Sequence, residues 1–159
     1  MFSEAVLELA RNALARCRED GIMLATAESC TGGLIVGALT EVPGSSDVVD
    51  RGFVTYSNEA KSEMLGVDPA LIMSFGAVSA PVAKAMAEGA LERSNAGVAV
   101  SVTGIAGPGG GSAEKPEGLV HFAVARRGDT TLHLENRFGP LGRREVRLAT
   151  VEQALKLIV

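Results

Sequence analysis

The amino-acid sequence predicts a three-layer α/β sandwich, with helices on both faces of a mixed, mostly parallel sheet of about five strands. Three observations point there. Two short apolar runs, 22–27 and 97–102, have the composition of central strands. Amphipathic segments alternate with the early strands, whereas the last two strands adjoin at Gly128-Asp129 and form an antiparallel hairpin. The 159 residues are 47% hydrophobic but only 4% aromatic, and their 19 glycines suit close helix–sheet packing.

The elements follow in order. Residues 3–20 carry Ala5, Val6, Leu9, Ala13 and Leu14 at helical spacing, with Ser3 placed to cap and Gly21 to stop. After strand 22–27, a helix from Leu34 buries Leu34, Ile35, Ala38 and Leu39 and ends before Pro43-Gly44. Gly44-Ser45-Ser46-Asp47 is a turn. A β-rich run, 53–56, leads into a Ser57-Asn58 cap, a short helix and Gly66. Asp68-Pro69 and Ser79-Ala80-Pro81 each carry the polar cap and first-turn proline of a helix start. Strand 97–102 is followed by a glycine-rich loop, 103–116, then strands at 118–125 and 131–138. A helix over 143–158 closes the chain, apolar at Val146, Ala149, Val151, Ala154, Leu155 and Ile158.

A chain of this length is expected to form one domain, 1–159, burying about 70% of its unfolded surface. The net charge of −4 argues against a general nucleic-acid binder. Cys17 and Cys30 are too few for a disulfide framework, so a reducing, cytoplasmic setting is expected. The acidic N-terminus lacks the basic region of a signal peptide. The two least charged windows, 21–40 and 94–113, are interrupted by polar and glycine-rich stretches, so no membrane association is expected. Alanine- and glycine-rich helix faces are compatible with a homodimer or higher homo-oligomer.

Chemistry gathers around Thr26-Ala27-Glu28-Ser29-Cys30-Thr31-Gly32-Gly33, where a strand turns into a helix. Such a junction aims free backbone N–H groups at whatever lies above the strand end, favouring an anion or a developing oxyanion. Ser29 is there a candidate nucleophile; spacing alone favours Ser29 and Thr31 as helix caps, the usual use of such residues. Tyr56 and Thr103 also fall at strand ends, where ligands collect in parallel sheets. The glycine loop is neither a P-loop nor a dinucleotide fingerprint; its glycines let backbone approach a ligand, or simply make it flexible. Arg143, Arg144 and Arg147 set positive charge at a helix N-terminus, against the dipole preference, which suits a docked anion or a solvated face.

A histidine base would have to be His121 or His133, both within the late hairpin. No cluster has metal-ligand spacing, and neither metal nor cofactor is expected. Lys61 then becomes the best-placed base for Ser29. At its ordinary pKa of about 10.4 fewer than one lysine in a thousand is neutral at pH 7; burial or a neighbouring cation must cut its proton affinity about a thousandfold, roughly 4 kcal/mol. Cys30, a rival nucleophile, would point elsewhere on the turn as a packed thiol.

Thr26-Ala-Glu-Ser-Cys-Thr-Gly-Gly33, Pro43-Gly-Ser-Ser46, Val54-Thr-Tyr-Ser-Asn-Glu-Ala-Lys61, Gly76-Ala-Val-Ser79 and Val102-Thr-Gly-Ile-Ala-Gly-Pro108 occur in that order. Together they resemble the C-terminal domain family of the competence/damage-inducible protein CinA, whose stand-alone members are nicotinamide-nucleotide amidohydrolases. With Met1 close to the start of the matching region, a stand-alone enzyme is expected. The resemblance implies hydrolysis of the carboxamide of nicotinamide mononucleotide to nicotinate mononucleotide and ammonia. It places the nucleophile on Ser29, the base on Lys61 and a catalytic tyrosine on Tyr56. The main chain of Cys30, Thr31, Gly32 and Gly33 is expected to face substrate, and Thr103, Gly104, Gly109 and Gly110 to cradle ribose or phosphate, assisted by Arg143. The family's Gly-Asp-Arg is here Leu141-Gly142-Arg143, so its aspartate is missing. A nucleotide-binding module without turnover, and an amidase for another small amide, are the alternatives.

Overall fold

The computed structural model describes residues 1–159. Ser3 caps α1 (Glu4–Asp20) by accepting from the Val6 N–H, and Gly21 ends it in the left-handed region. β1 (Leu24–Glu28) leads through a tight turn to α2 (Leu34–Thr40). A 3₁₀ turn, Ser45–Asp47, precedes β2 (Val49–Val54). Three helices follow: α3 (Asn58–Leu65), α4 (Pro69–Phe75) and α5 (Ala80–Glu92). β3 (Val98–Gly104), β4 (Leu119–Arg126), β5 (Leu132–Arg137) and α6 (Arg143–Ile158) complete the chain.

The strands form one sheet in the order β2-β1-β3-β4-β5. The first three are parallel, and β4 and β5 are antiparallel to their neighbours. Helices cover both faces, giving the expected three layers. Val98, Val100 and Val102 face the α1–α2–α6 layer, where they join Leu14, Ile35, Leu39 and Leu155 in the larger core. Ala25, Ala27 and Ala99 face the other way, packing with Leu65, Val82 and Met86 from α3 and α5. Period-two alternation thus persists in β3, although both its faces are buried. Two polar side chains on the α5 side are satisfied there: Ser101 Oγ donates to Ala83 O at 2.6 Å, and Thr103 Oγ1 to Ala77 O at 2.9 Å.

Three boundaries and one buried face depart from expectation. β2 occupies Val49–Val54 instead of 53–56, because it is an edge strand whose Asp50, Arg51 and Gly52 dilute its apolar signature. β1 starts at Leu24 and includes Glu28, a charged residue that composition would not place in a fully buried strand. β3 runs on through Thr103 and Gly104, so these belong to the sheet and not to the loop. In α6 the buried set includes Thr150 and omits Ala149; the Thr150 hydroxyl donates to Val146 O at 2.7 Å within the helix.

No helix is long and apolar enough to cross a membrane. α3 and α5 approach so closely that a Cβ at Gly89 would lie 2.1 Å from the Leu65 carbonyl oxygen. Gly→Ala normally strengthens a helix interior by about 1 kcal/mol. Here the sign should reverse: Gly89→Ala is expected to destabilise by about 1–3 kcal/mol, from forced separation of α3 and α5. Urea unfolding of the two proteins checks this, and an unchanged or raised midpoint would contradict it.

Candidate active site

After β1 the chain crosses to β2 on one side; after β3 it passes to β4 on the other. The carboxyl ends of β1 and β3 therefore flank a topological switch point, where a crevice opens in sheets of this type. Ser29 stands there, its N–H donating to Val102 O at 3.1 Å. The crevice is a cleft of about 390 Å³.

Lys61 comes from the first turns of α3, which Ser57 caps through the Ala60 N–H at 3.0 Å. Its Nζ lies 3.0 Å from Ser29 Oγ, 3.0 Å from Thr55 O and 3.1 Å from Tyr56 O, with Ser57 O at 3.5 Å. The side chain is 1% exposed and forms no ion pair. Burial lowers its pKa from the ordinary lysine value, opposed in part by the charge of Glu59. Nζ donates to Ser29 Oγ and to the two nearer carbonyls; a neutral amine can keep both carbonyl bonds and turn its lone pair to the Ser29 hydroxyl, accepting its proton.

Tyr56 lines the cleft and meets the site in two ways. Its main-chain carbonyl, not its phenol, touches Lys61. The exposed phenol accepts instead from Arg143 Nη2 at 2.9 Å, while Arg143 Nη1 donates to Gly107 O at 3.0 Å. One guanidinium thus bridges the Tyr56 rim and the glycine loop. The aspartate missing beside it has a local explanation. Gly142 sits at φ 96°, ψ 151°, a conformation favouring glycine, and leaves α6 without a side-chain cap; Arg143 is oriented by Tyr56 and Gly107 instead.

Thr103, Gly104, Gly109 and Gly110 all line the cleft, as does Cys30. Asn58, Ala77 and Val78 also line it; they lie within the Val54–Lys61 and Gly76–Ser79 motifs, although no site role is assigned to them from sequence. The loop is closed at its neck by Ile105 N–H to Leu119 O at 2.9 Å and Gly118 N–H to Ile105 O at 2.8 Å. Glu117 braces it by accepting from the Gly109 N–H at 2.6 Å, and Lys115 Nζ ties it to Phe75 O at 2.5 Å. Thr103 contributes wall rather than a free donor, because its hydroxyl is spent on Ala77.

Thr31, Gly32 and Gly33 do not line the cleft. The reason is Glu28, wholly buried behind the turn. Its carboxylate accepts from Thr31 Oγ1 at 2.6 Å, Ile35 N–H at 2.8 Å and Val36 N–H at 3.0 Å, with Thr26 Oγ1 at 3.3 Å. Gly33, at the N-cap of α2, offers no side chain, so Glu28 caps that helix from the strand below. The first-turn amides that an anion could have used are consumed. The side-chain roles of Thr31 and Glu28 were not separable by spacing, though a Glu at the end of an apolar strand is itself a signal.

Cys30 is a packed thiol within the larger core, and burial pushes its pKa up to about 12. It is therefore no rival to Ser29. Arg147 reaches the turn from α6: Nε donates to Cys30 O at 3.1 Å and Nη2 to Thr31 O at 3.2 Å. Arg144 is exposed and lines no part of the cleft. His121 and His133 meet each other across the hairpin, Nδ1 to Nε2 at 2.8 Å, and neither borders the cleft.

Fold and site define a three-layer α/β protein with a strand-end cleft built around a buried serine–lysine pair. The chain belongs to the CinA family: the model of the CinA C-terminal domain matches residues 6–159. It is 49% identical to a CinA-like protein of Akkermansia muciniphila over 98% of this chain and 37% of that one. It is 53% identical to a CinA-like protein of Mycobacterium avium over 87% of this chain and 32% of that one, so it spans about a third of these relatives. The crystal structure of competence/damage inducible protein CihA from Agrobacterium tumefaciens superposes with a TM-score of 0.97 at 59% identity, covering 99% and 96% of the two chains. A CinA superfamily protein from Escherichia coli gives 0.91 at 33% identity, covering 98% and 91%.

The buried lysine has a pH signature. Below the folded-state pKa of Lys61 the burial penalty is present in full; above about 10.4 the amine is neutral in both folded and unfolded chains and the penalty is gone. Stability relative to Lys61→Met should therefore rise with pH between those limits. Urea midpoints of both proteins from pH 6 to 10 measure it; a pH-independent difference would refute a depressed Lys61. A second expectation concerns the cap. Glu28→Gln sets an NH₂ group against donors now facing a carboxylate and should cost about 1–3 kcal/mol, read by the same unfolding measurement.

Proposed function

We propose that this chain hydrolyses the carboxamide of nicotinamide mononucleotide, with Ser29 as nucleophile and Lys61 as base. The observation that carries the chemistry is the 3.0 Å contact between a dry, unpaired Lys61 Nζ and Ser29 Oγ. A nucleophile within hydrogen-bond reach of a base with depressed proton affinity is the arrangement of covalent acyl transfer. The substrate rests on family membership together with the cleft, whose size falls within the range of about 300–1,000 Å³ typical of small-molecule sites. Arg143 and the glycine loop supply positive charge and close backbone approach for its phosphate and ribose.

Lys61 takes the Ser29 proton as Oγ bonds to the amide carbon. Free main-chain N–H groups beside Ser29 hold the oxyanion. The carbon–nitrogen bond breaks and the amide nitrogen leaves as ammonia with the proton from Lys61. Water then attacks the Ser29 ester, passing a proton through Lys61 back to Oγ, and the nicotinate carboxylate departs. One amide and one water give one carboxylic acid and one ammonia. Tyr56 holds Lys61 through its carbonyl and meets substrate with its phenol.

Purified chain incubated with nicotinamide mononucleotide should release ammonia, and Ser29→Ala and Lys61→Ala should each lower kcat by at least about 10³-fold. Acid quenching at short times should trap a nicotinoyl-nucleotide ester on the peptide carrying Ser29. Full activity in Ser29→Ala would overturn the nucleophile. Binding without release would favour a non-catalytic module, and release only from other members of an amide panel would replace the substrate.

A further inference from the structure

A primary carboxamide brings two N–H donors into a cleft, where losing water is costly unless they find acceptors. Most polar side chains on the wall are already engaged. Ser29 Oγ is bonded to Lys61 Nζ, the Tyr56 phenol accepts from Arg143, and the Thr103 hydroxyl is spent on Ala77 O. Lys61 and Arg143 are also tied to main-chain carbonyls, Thr55 O and Gly107 O among them. Asn58 is the exception: it lines the same cleft, and its side-chain amide is bonded to no protein group. It offers one carbonyl acceptor and two donors on a short, neutral side chain.

Its place in the chain sets it beside the reacting atoms. Asn58 opens α3, three residues before Lys61, a spacing that puts both side chains on one face of the helix. Lys61 Nζ reaches back to within 3.5 Å of Ser57 O, the carbonyl of the peptide group whose nitrogen belongs to Asn58. In the reaction proposed above, the departing nitrogen takes its proton from Lys61, so it must come within hydrogen-bond distance of Nζ. After Ser29 attacks, that nitrogen is pyramidal, with two N–H bonds and one lone pair. Only the lone pair can receive the proton. An acceptor that holds one N–H fixes where the lone pair points, and Asn58 Oδ1 is free to be that acceptor.

We propose that Asn58 is a specificity-determining residue: its Oδ1 accepts an N–H of the scissile amide and turns the nitrogen's lone pair toward Lys61. The site is thereby built for carboxamides, whose nitrogen has a hydrogen to give, over esters, whose leaving oxygen has none. This rests on the serine–lysine reading of the cleft, but not on the identity of the rest of the amide.

The test compares an amide with its ester in the full chain. The substrates are nicotinamide mononucleotide and nicotinate mononucleotide methyl ester, and the readout is the ratio of their kcat/KM values. Asn58→Ala should lower kcat/KM for the amide about ten- to a hundredfold and change that for the ester less than about threefold. Asn58→Leu, similar in volume but without an acceptor, should do the same, and it decides if Asn58→Ala does not fold. Asn58→Asp keeps the acceptor and should hold the ratio within about threefold of wild type; an effect on Lys61 shared by both substrates cancels in it. A wild-type ratio in Asn58→Ala and Asn58→Leu, or equal losses on amide and ester, overturns the proposal and leaves the amidase reading standing. If wild type spares nicotinamide mononucleotide but hydrolyses another member of an amide panel, the substrate reading fails and Asn58 is judged on that amide and the matching methyl ester. A wild type that cleaves no amide overturns both.

Discussion

Lys61 is held out of water among three main-chain carbonyls and one hydroxyl, with no carboxylate beside it. An ammonium in that position loses hydration without gaining a counter-charge, so its neutral form is favoured. The carbonyls belong to consecutive residues, Thr55, Tyr56 and Ser57, where the chain has left the sheet but has not yet entered α3. A longer β2 would turn some of them into ladder partners. The early end of that edge strand is therefore what supplies the amine with acceptors.

The same economy governs the serine. β1 ends in a residue that is buried and charged, and its carboxylate has only donors around it: two hydroxyls and two amides. Glu28 stabilises a seven-residue helix too short to persist alone and fixes where the strand stops. Ser29 is then the first residue beyond that fixed point, anchored to β3 through Val102. Position at the cleft is set by the sheet on one side and by a buried carboxylate on the other. The cation at the rim and the cation behind the turn come from one helix, α6, four residues and about one turn apart.

Much of this is legible in the amino acids. Ser3, Ser57 and Asp68 cap helices because a short polar side chain before an apolar repeat has few other uses, and Gly21 and Gly66 take the left-handed stop. The central strands and the hairpin stand out by composition. β2 does not, since an edge strand is exposed enough to carry Asp50 and Arg51. Ser29 and Lys61 are found as a pair by eliminating histidine and by family motifs, yet their separation of 32 residues hides the contact itself. The partners of Glu28 and Arg147 escape because they depend on which carbonyls and amides the turn leaves over, a three-dimensional count. Which part of Tyr56 meets Lys61 is hidden for a related reason: at a strand end, main chain and side chain point to different neighbours.

The loop between β3 and β4 is drawn shut where it leaves the sheet, by paired hydrogen bonds across Ile105 with Leu119 and Gly118. Ser29 and Lys61 ride on other connections, β1–α2 and β2–α3. A purse-string closure of this kind uncouples the loop's tip from the sheet. At Gly109 and Gly110 an added side-chain carbon would meet nothing within 4 Å, so the tip has room outward though its positive φ values restrict which residues can use it. Insertions or exchanges there can remodel one wall of the cleft while the reactive pair stays in register, and such a division lets selectivity drift in evolution without rebuilding the chemistry.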